Sequence, residues 1–179
     1  MMHMIRNSRI VLAAIQTVAI IGLCVALGAG NNKVPVSFQL LGNTMTFAVT
    51  AAQTSGASVT IDEVVPPGSG PPAHIHTRED ETYVVTRGHF RFWCGTRVID
   101  AGPGTVVYLP RNVPHQFLNV GISPGELVLT IVPAGIERMF LAISQRGLSV
   151  PKDQTEIIRL GREYGITYVA PLAPQTATK

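Results

Sequence analysis

Cysteine is scarce in this chain, and its scarcity limits how the fold can be held together. Only two of the 179 residues are cysteines. Cys24 lies in an N-terminal segment that we expect to be cleaved or to anchor the chain, which leaves Cys94 alone. An exported protein would therefore fold without an internal disulfide. We interpret Cys94 as a small buried hydrophobic residue and not as a reactive thiol.

A strong net charge is also absent. The chain has 14 lysines and arginines against 11 aspartates and glutamates. Arg6 and Arg9 lie in the N-terminal segment, so the remainder carries 12 minus 11, a net charge of +1. No cluster of basic residues is interleaved with aromatic residues, which argues against binding of nucleic acid. The roughly 149 residues after the segment suffice for one domain with a substantial core and are too few for two.

The first 30 residues have the pattern of a leader. Residues 1–9 contain two arginines and no acid, and residues 10–30 form an apolar run of 21 residues with two polar interruptions. This pattern predicts a signal peptide, or an uncleaved N-terminal membrane anchor, because the run can span about 30 Å of hydrocarbon. We expect export to the periplasm or cell exterior, or attachment to the membrane through residues 10–30 alone. The small residues at the end of the run favour cleavage near residues 28–30.

Two motifs that contain histidine and glutamate stand out in the rest of the chain. The first runs from Gly68 through five residues to His74, one to His76, four to Glu81 and six to Gly88. Side chains at positions i and i+2 of an extended strand point to the same face, so the two histidines can bind one ion together. Imidazole and carboxylate groups are ligands for divalent metals. The first motif therefore predicts three metal ligands.

The second motif supplies a fourth ligand. It runs from Gly104 through five residues to Pro110, one to Asn112, two to His115 and three to Asn119. Fifteen residues separate the two motifs, which leaves room for one pair of strands. We expect His115 to complete the ligand set of one metal ion.

The two motifs resemble, spacing for spacing, the two signature motifs of the cupin superfamily. Asn112 is the one departure, because the family pattern usually has glycine there; asparagine also tolerates a positive φ, so a left-handed turn is still expected. The resemblance implies an all-β fold, an antiparallel double-sheet jelly-roll barrel. It also implies one divalent metal ion, with iron or manganese favoured and nickel, copper, cobalt or zinc also compatible. The implied ligands are His74, His76, Glu81 and His115.

Other titratable residues near the motifs are weaker candidates. Glu79 and Asp80 lie close to Glu81, but only Glu81 fits both the four-residue and the six-residue gap of the first motif. We expect Glu79 and Asp80, with Arg78, to form a solvated strand entrance. His89 lies outside both motifs and is interpreted as a packed or solvated side chain.

Short β runs separated by glycine and proline turns dominate residues 34–133 and predict the barrel. A turn is expected at Gly42 and Asn43, between the first two runs. The predicted strands cover residues 36–41, 44–50, 59–65, 81–86, 90–93, 106–109 and 127–132. Residues 31–179 are thus interpreted as a single cupin domain with one copy of the motifs.

Residues 134–179 are predicted to be helical. A first helix is expected from an apolar stripe that ends at Gly147, and a second is expected to begin with the capping pair Asp153 and Glu156. We expect both helices to pack on the outside of the barrel or on a partner subunit, so a homodimer is left open. The apolar stripe consists of Ile136, Met139, Phe140 and Ile143.

Strand alternation also predicts a substrate cavity beside the ligands. Tyr83 and Val85 follow Glu81 at even spacing and should share its face, and Phe117 should share the face of His115. Such a cavity would exclude water and stack a flat ring. The expected substrate-binding residues are Tyr83, Val85, Phe90, Phe92 and Phe117.

The stretch from Pro133 to Phe140 and the later Glu163 to Ile166 are similar to the tails of single-domain bacterial cupins related to quercetin 2,3-dioxygenase. This resemblance implies a dioxygenase with a redox-active metal, O2 as co-substrate and an aromatic or enolic small molecule as substrate. Glu81 could then act as the catalytic base that takes the substrate's hydroxyl proton.

Three other functions are compatible with the same metal ligands. They are an oxalate oxidase or decarboxylase, a metal-dependent isomerase or lyase, and a non-catalytic cupin that binds a small molecule. Oxalate requires a cationic or hydrogen-bonding cavity, whereas the expected lining is mostly apolar. Arg91, Arg97 and Arg111 discriminate among these functions, because an inward-pointing cation would favour an acidic substrate.

Overall fold

The computed structural model of this protein describes residues 36–172. The predicted leader, residues 1–30, lies outside this range. Within residues 36–172 we find no helix whose length and apolarity would let it cross a membrane.

Eleven strands in the described part of the chain form two antiparallel sheets. The first has the order β1-β2-β3-β10-β5-β8 and the second the order β11-β4-β9-β6-β7. The strands are β1 (Ser37–Leu40), β2 (Asn43–Val49), β3 (Val59–Val65), β4 (His74–His76), β5 (Asp80–Arg87), β6 (Phe90–Cys94), β7 (Arg97–Ala101), β8 (Val106–Leu109), β9 (His115–Asn119), β10 (Gly125–Val132) and β11 (Ile166–Tyr168).

Every second side chain along the long strands is buried, as expected for sheets that each turn one face to a common interior. In β10, for example, Leu127, Leu129 and Ile131 are buried while the residues between them are partly exposed. The predicted antiparallel jelly roll is therefore confirmed. The pair of strands expected between the two motifs is β6 and β7.

The first hairpin turns one residue earlier than the sequence suggests. Leu41 and Gly42 both have positive φ, 49° and 96°, which is the pattern of a two-residue hairpin turn. Asn43 is the first residue of β2 and is buried. The prediction of a turn at Gly42 and Asn43 is wrong because the strained residue is Leu41, a residue type that rarely signals a positive φ.

Asn112, in contrast, behaves as its position in the second motif predicts. Its φ is 63°, the left-handed conformation that glycine usually provides. Its backbone N–H donates a hydrogen bond to the carbonyl oxygen of His76, at 2.7 Å. The turn before β9 is thereby attached to the end of β4, the strand that carries two of the candidate ligands.

Two helices follow the last long strand: α1 (Glu137–Gln145) and α2 (Gln154–Glu163). The four residues of the predicted apolar stripe, Ile136, Met139, Phe140 and Ile143, are all buried. Asp153 is the N-cap of α2 and Glu156 lies in its first turn, as predicted, but Asp153 makes no side-chain cap hydrogen bond. Its carboxylate instead accepts the N–H of Ser149 at 3.0 Å, and Glu156 forms an ion pair with Arg146.

The C-terminal region is not purely helical, which corrects the sequence-based expectation. β11 pairs with β4, so that Ile166 lies opposite His76 and Tyr168 opposite His74. Three residues are too few for an alternating pattern to reveal a strand. The pairing brings the C-terminal region directly to the strand that holds two candidate ligands.

Candidate metal centre and cavity

Four buried side chains converge inside the barrel. They are His74, His76, Glu81 and His115, and one nitrogen or oxygen atom of each lies within 4.8 Å of the corresponding atom of every other. His74 lies directly opposite His115 in the ladder between β4 and β9. Glu81 belongs to β5 of the other sheet and reaches the histidines from across the interior. The structure thus brings together the four residues that the motifs single out.

The distances within this group suit one ion. The Nε2 atoms of His74 and His76 are 3.0 Å apart. Nε2 of His76 lies 3.5 Å from Oε1 of Glu81, and Nε2 of His115 lies 3.4 Å from Oε2 of the same carboxylate. Two ligand atoms bound at about 2.1 Å and at right angles would be about 3 Å apart. The observed separations match this value or exceed it slightly.

All three imidazole rings are oriented through Nδ1, the nitrogen that faces away from the centre. An oxygen atom can only accept a hydrogen bond from this nitrogen, so the proton resides on Nδ1 and the lone pair of Nε2 points to the centre. The Nδ1 acceptors are the carbonyl of Pro72 for His74 at 2.8 Å, the carbonyl of Val113 for His115 at 3.0 Å and the carboxylate of Glu79 for His76 at 3.3 Å.

The inner nitrogens therefore need a positive partner. Nε2 of His115 is buried and has no hydrogen-bond partner among the described residues. The Nε2 atoms of His74 and His76 are 3.0 Å apart, and with both Nδ1 atoms protonated a hydrogen bond between them requires one ring to be an imidazolium. A buried acceptor without a donor is costly, and a bound cation would satisfy all three nitrogens together. The donor set thus fits a divalent metal ion.

The protonation states of His74 and Glu81 suit metal ligands. Burial, with the charges of His115 and His76, lowers the pKa of His74 to about 3, so this ring is neutral at pH 7. Burial alone would raise the pKa of Glu81, but the charges of the nearby histidines, that of His76 above all, outweigh it and lower the value to about 2. At His76 burial would lower the pKa, but the charge of Glu81 and the hydrogen bond with Glu79 raise it, so a binding cation would have to displace a proton from this ring. An ionised carboxylate and neutral imidazoles are the forms that bind metals.

Glu79 has a role that was not predicted from the sequence. Its side chain is only 4% exposed and contacts Nδ1 of His76, which corrects the expectation of a solvated position. The neighbouring Asp80 does lie at the surface side of the strand, where Arg111 binds both of its carboxylate oxygens. The role of Glu79 could have been inferred from the sequence, because a glutamate three residues after a ligand histidine can reach back to it across a tight turn.

A cavity of about 390 Å³ lies beside the four ligands and is bordered by His74, His76 and Glu81. Tyr83 and Phe117 line it, as predicted from strand alternation. The other three residues that were expected to line the cavity do not line it. Strand alternation gives the inward direction but not the depth, and these three aromatic and aliphatic side chains fill the solid core behind the cavity. They are Val85, Phe90 and Phe92, each with 0% exposure.

Part of the remaining lining comes from elements that were expected to lie outside the barrel. α1 and β11 contribute five residues, because β11 joins the sheet at the ligand strand and α1 packs near β1. These contacts join residues far apart in sequence, so no local pattern reveals them. The lining residues from these two elements are Met139, Phe140, Ile143, Ile166 and Tyr168.

The cavity also holds a second carboxyl group, that of Glu63 on β3. Its Oε1 accepts a hydrogen bond from the side-chain amide of Asn43 at 2.7 Å, and the carbonyl of that amide accepts one from the hydroxyl of Ser69 at 2.9 Å. Burial raises the pKa of Glu63 to about 7, although the bond from Asn43 lowers it. Its inward position between Ile61 and Val65 was a signal available in the sequence.

No lysine or arginine within residues 36–172 lines the cavity. Of the three arginines that could have introduced positive charge, Arg91 pairs with Asp100 at 2.7 Å and Arg111 with Asp80 at 2.8 Å, both at the surface. Arg97 is exposed as well. The described cavity wall is therefore uncharged apart from its carboxyl groups and histidines.

The central part of the chain matches a known family. Residues 61–132 match the family described as the cupin domain. This stretch contains all four candidate ligands and runs from β3 to the end of β10.

Among curated proteins, the chain is similar to the glucose-6-phosphate isomerase of Pyrococcus abyssi, with 35% identity over 83 residues. The similar stretch covers 42% of this chain and 43% of the isomerase, so the chain spans less than half the length of this relative.

Two solved structures illustrate the shared fold. An RmlC-like cupin from Shewanella frigidimarina has a TM-score of 0.51 at 15% identity, covering 61% of this chain and 93% of its own. The nucleoside dehydratase Pac13 from Streptomyces has a TM-score of 0.50 at 17% identity, covering 78% of this chain and 88% of its own. At such identities the likeness concerns the fold alone.

Proposed function

We propose that this chain, whose family match and fold support membership of the cupin superfamily, is a metal-dependent dioxygenase that acts on an uncharged aromatic or enolic molecule. The resemblance of its tail to proteins related to quercetin 2,3-dioxygenase supports the same choice. When bound, a redox-active divalent ion would supply electron exchange with O2 and would polarise a substrate oxygen.

The apolar side chains of the cavity wall, and the lack of lysine and arginine among its described lining residues, are the observation that carries this proposal. An aromatic substrate gains from stacking on Tyr83 and Phe117 and from contact with the apolar residues of α1. Four protein ligands leave room on an ion that accepts six, so a chelating pair of substrate oxygens could bind there.

Within this site, Glu81 is proposed to accept the hydroxyl proton of the substrate. Its carboxylate is ionised at neutral pH and can accept a proton, and because its pKa is lowered to about 2 the transfer would depend on the ion acidifying the bound hydroxyl. The hydroxyl of Tyr83 donates a hydrogen bond to its Oε2 at 3.4 Å and helps to hold it. Burial keeps bulk water away from this transfer, since Glu81 is 2% exposed.

A metal-dependent sugar-phosphate isomerase is the second candidate, and the similarity to the Pyrococcus isomerase favours it. A phosphate group is normally bound by arginine, lysine or a helix N-terminus. No cation from residues 36–172 lines the cavity, so we rank this function below the dioxygenase. The same argument disfavours oxalate as a substrate.

The test is an oxygen-uptake assay on protein purified without chelators, after its metal content has been measured. Catechols and flavonols are supplied as substrates, and hexose 6-phosphate isomerisation is measured in parallel. We expect O2 uptake with at least one aromatic substrate. The variant His76→Ala should lose both metal and uptake, whereas His89→Ala, at an exposed histidine outside the site, should keep both. Metal-loaded protein that consumes no O2 but isomerises the sugar phosphate would establish the second candidate instead.

A further inference from the structure

The carboxyl group of Glu63 is unexplained by the metal centre. It lines the cavity, is only 4% exposed, and uses Oε1 to accept the hydrogen bond from Asn43. Its other oxygen, Oε2, is buried and has no hydrogen-bond partner among residues 36–172. Native proteins seldom leave a buried polar atom unpaired, so such an atom at a cavity wall points to a ligand.

Glu63 and the metal ligands occupy different positions on the cavity wall. In the sheet, Glu63 lies opposite Leu127 of β10, whereas Glu81 lies opposite Ile131 on the other side of the same strand. The two backbone positions are thus four residues apart along β10, about 13 Å. A molecule bound at the metal can therefore extend towards Glu63.

The surroundings of Glu63 contain no positive charge among the described residues. The neighbouring strand β2 presents Asn43 and Met45, and β10 presents Leu127. Tyr83 and Glu81 of β5 are the titratable groups that face it. Since neither supplies a positive charge, Glu63 is not held as half of an ion pair.

We propose that Glu63 is a second recognition point in the cavity, which hydrogen-bonds through Oε2 to an uncharged oxygen of the substrate at the end remote from the metal ligands. This inference rests on the proposed function, because it requires a substrate that is bound at the metal centre. It defines the substrate class further: a chelating pair of oxygens at one end of an aromatic molecule and a neutral acceptor, such as a carbonyl, at the other.

The chemistry of the group suits this role. Burial raises the pKa of Glu63 to about 7, so the neutral acid is well populated at and below neutral pH. Since Oε1 accepts from Asn43, the acidic hydrogen belongs on Oε2, where it can be donated. Above neutral pH the ionised carboxylate can no longer donate this bond.

The test compares the binding of two matched probes to the metal-loaded protein by calorimetry under nitrogen. The probes are acetyl catechol and ethyl catechol, which carry a carbonyl and a methylene at the same position. For the unmodified protein we expect the acetyl compound to bind about 3- to 10-fold more tightly, the usual effect of one neutral hydrogen bond. Glu63→Leu should abolish this preference. Glu63→Gln should keep it, because its amide can accept from Asn43 and still donate.

The pH dependence distinguishes hydrogen bonding from a merely structural role. The preference of the unmodified protein should be present near pH 6 and lost near pH 8, whereas Glu63→Gln should keep it at both. Equal preference in the unmodified protein and Glu63→Leu would overturn the role of Glu63 and leave the proposed function intact. Failure of the metal-loaded protein to bind either catechol would overturn both.

Discussion

At the scale of single residues, Glu79 shows how a side chain that does not touch the metal can still govern its binding. Its carboxylate orients His76 by accepting the Nδ1–H. We expect Glu79→Ala to weaken metal affinity by about 10- to 100-fold, the usual effect of losing such a partner. Competition with a chromophoric chelator would measure this metal affinity. Asp80→Asn, which changes the adjacent acid that pairs with Arg111, should alter the affinity less than about threefold; an equal loss in both variants would contradict the assignment.

The protonation of Glu63 predicts a pH-dependent effect on stability. Its pKa rises from 4.5 to about 7 on folding, so the folded state binds the proton more strongly. The associated stability is fully present below pH 4.5 and is lost as the pH rises through 7. Glu63→Gln does not titrate. With both proteins free of metal, we therefore expect the free energy of unfolding of this variant to be higher than that of the unmodified protein by on the order of 1–3 kcal/mol at pH 8. Urea unfolding would measure this difference, which should shrink at pH 5.

At the scale of elements, the segment before β4 leaves no room for a side chain at Gly70. A Cβ atom there would lie 2.0 Å from the carbonyl oxygen of Phe117 on β9. We expect Gly70→Ala to destabilise the protein by about 3 kcal/mol and to weaken metal binding, because the segment leads directly to His74. At the control position, Gly102, the added Cβ would meet only ordinary contacts at 3.7 Å. Gly102→Ala should change the unfolding free energy by less than about 1 kcal/mol.

Elements that are determined by residues close together in the sequence could be predicted from it. The strands follow from alternation, and the four ligands follow from fixed spacing within two short motifs. β11 and the inward face of α1 could not be predicted, because their positions depend on contacts with β4 and β1 that lie far away in the chain. The same limit explains why Phe90 and Phe92 were expected in the cavity. Alternation tells which way a side chain points, and only the packed interior tells how deep it lies.

At the scale of the whole molecule, metal binding and folding should be linked. The ligands come from β4, β5 and β9 in both sheets, and such a set does not preexist in the unfolded chain. With free metal at about 100 times its dissociation constant, we expect a gain of about 2.7 kcal/mol and a melting temperature higher by roughly 5–10 °C than after chelation. Differential scanning calorimetry would measure this shift.

The shift should disappear at low pH, because protonated imidazoles do not bind metals. His76→Ala should show no metal-dependent shift at any pH. If chelation lowered the melting temperature of this variant as much as that of the unmodified protein, the stabilising ion would have to bind elsewhere.

The pairing of β11 with β4 determines how late in synthesis the wall beside the candidate centre can form. About 90 residues separate His76 from Ile166, so a ribosome adding roughly 5–20 residues per second needs several seconds to as much as about 20 s to produce both strands of this ladder. Until then β4 has a free edge on the side that β11 will occupy, and the cavity lacks the wall that Ile166 and Tyr168 provide. The wall beside the candidate metal centre is thus completed well after the last of its four ligand residues, and a ribosome that stalls before Ile166 would leave three histidines and a glutamate without this wall.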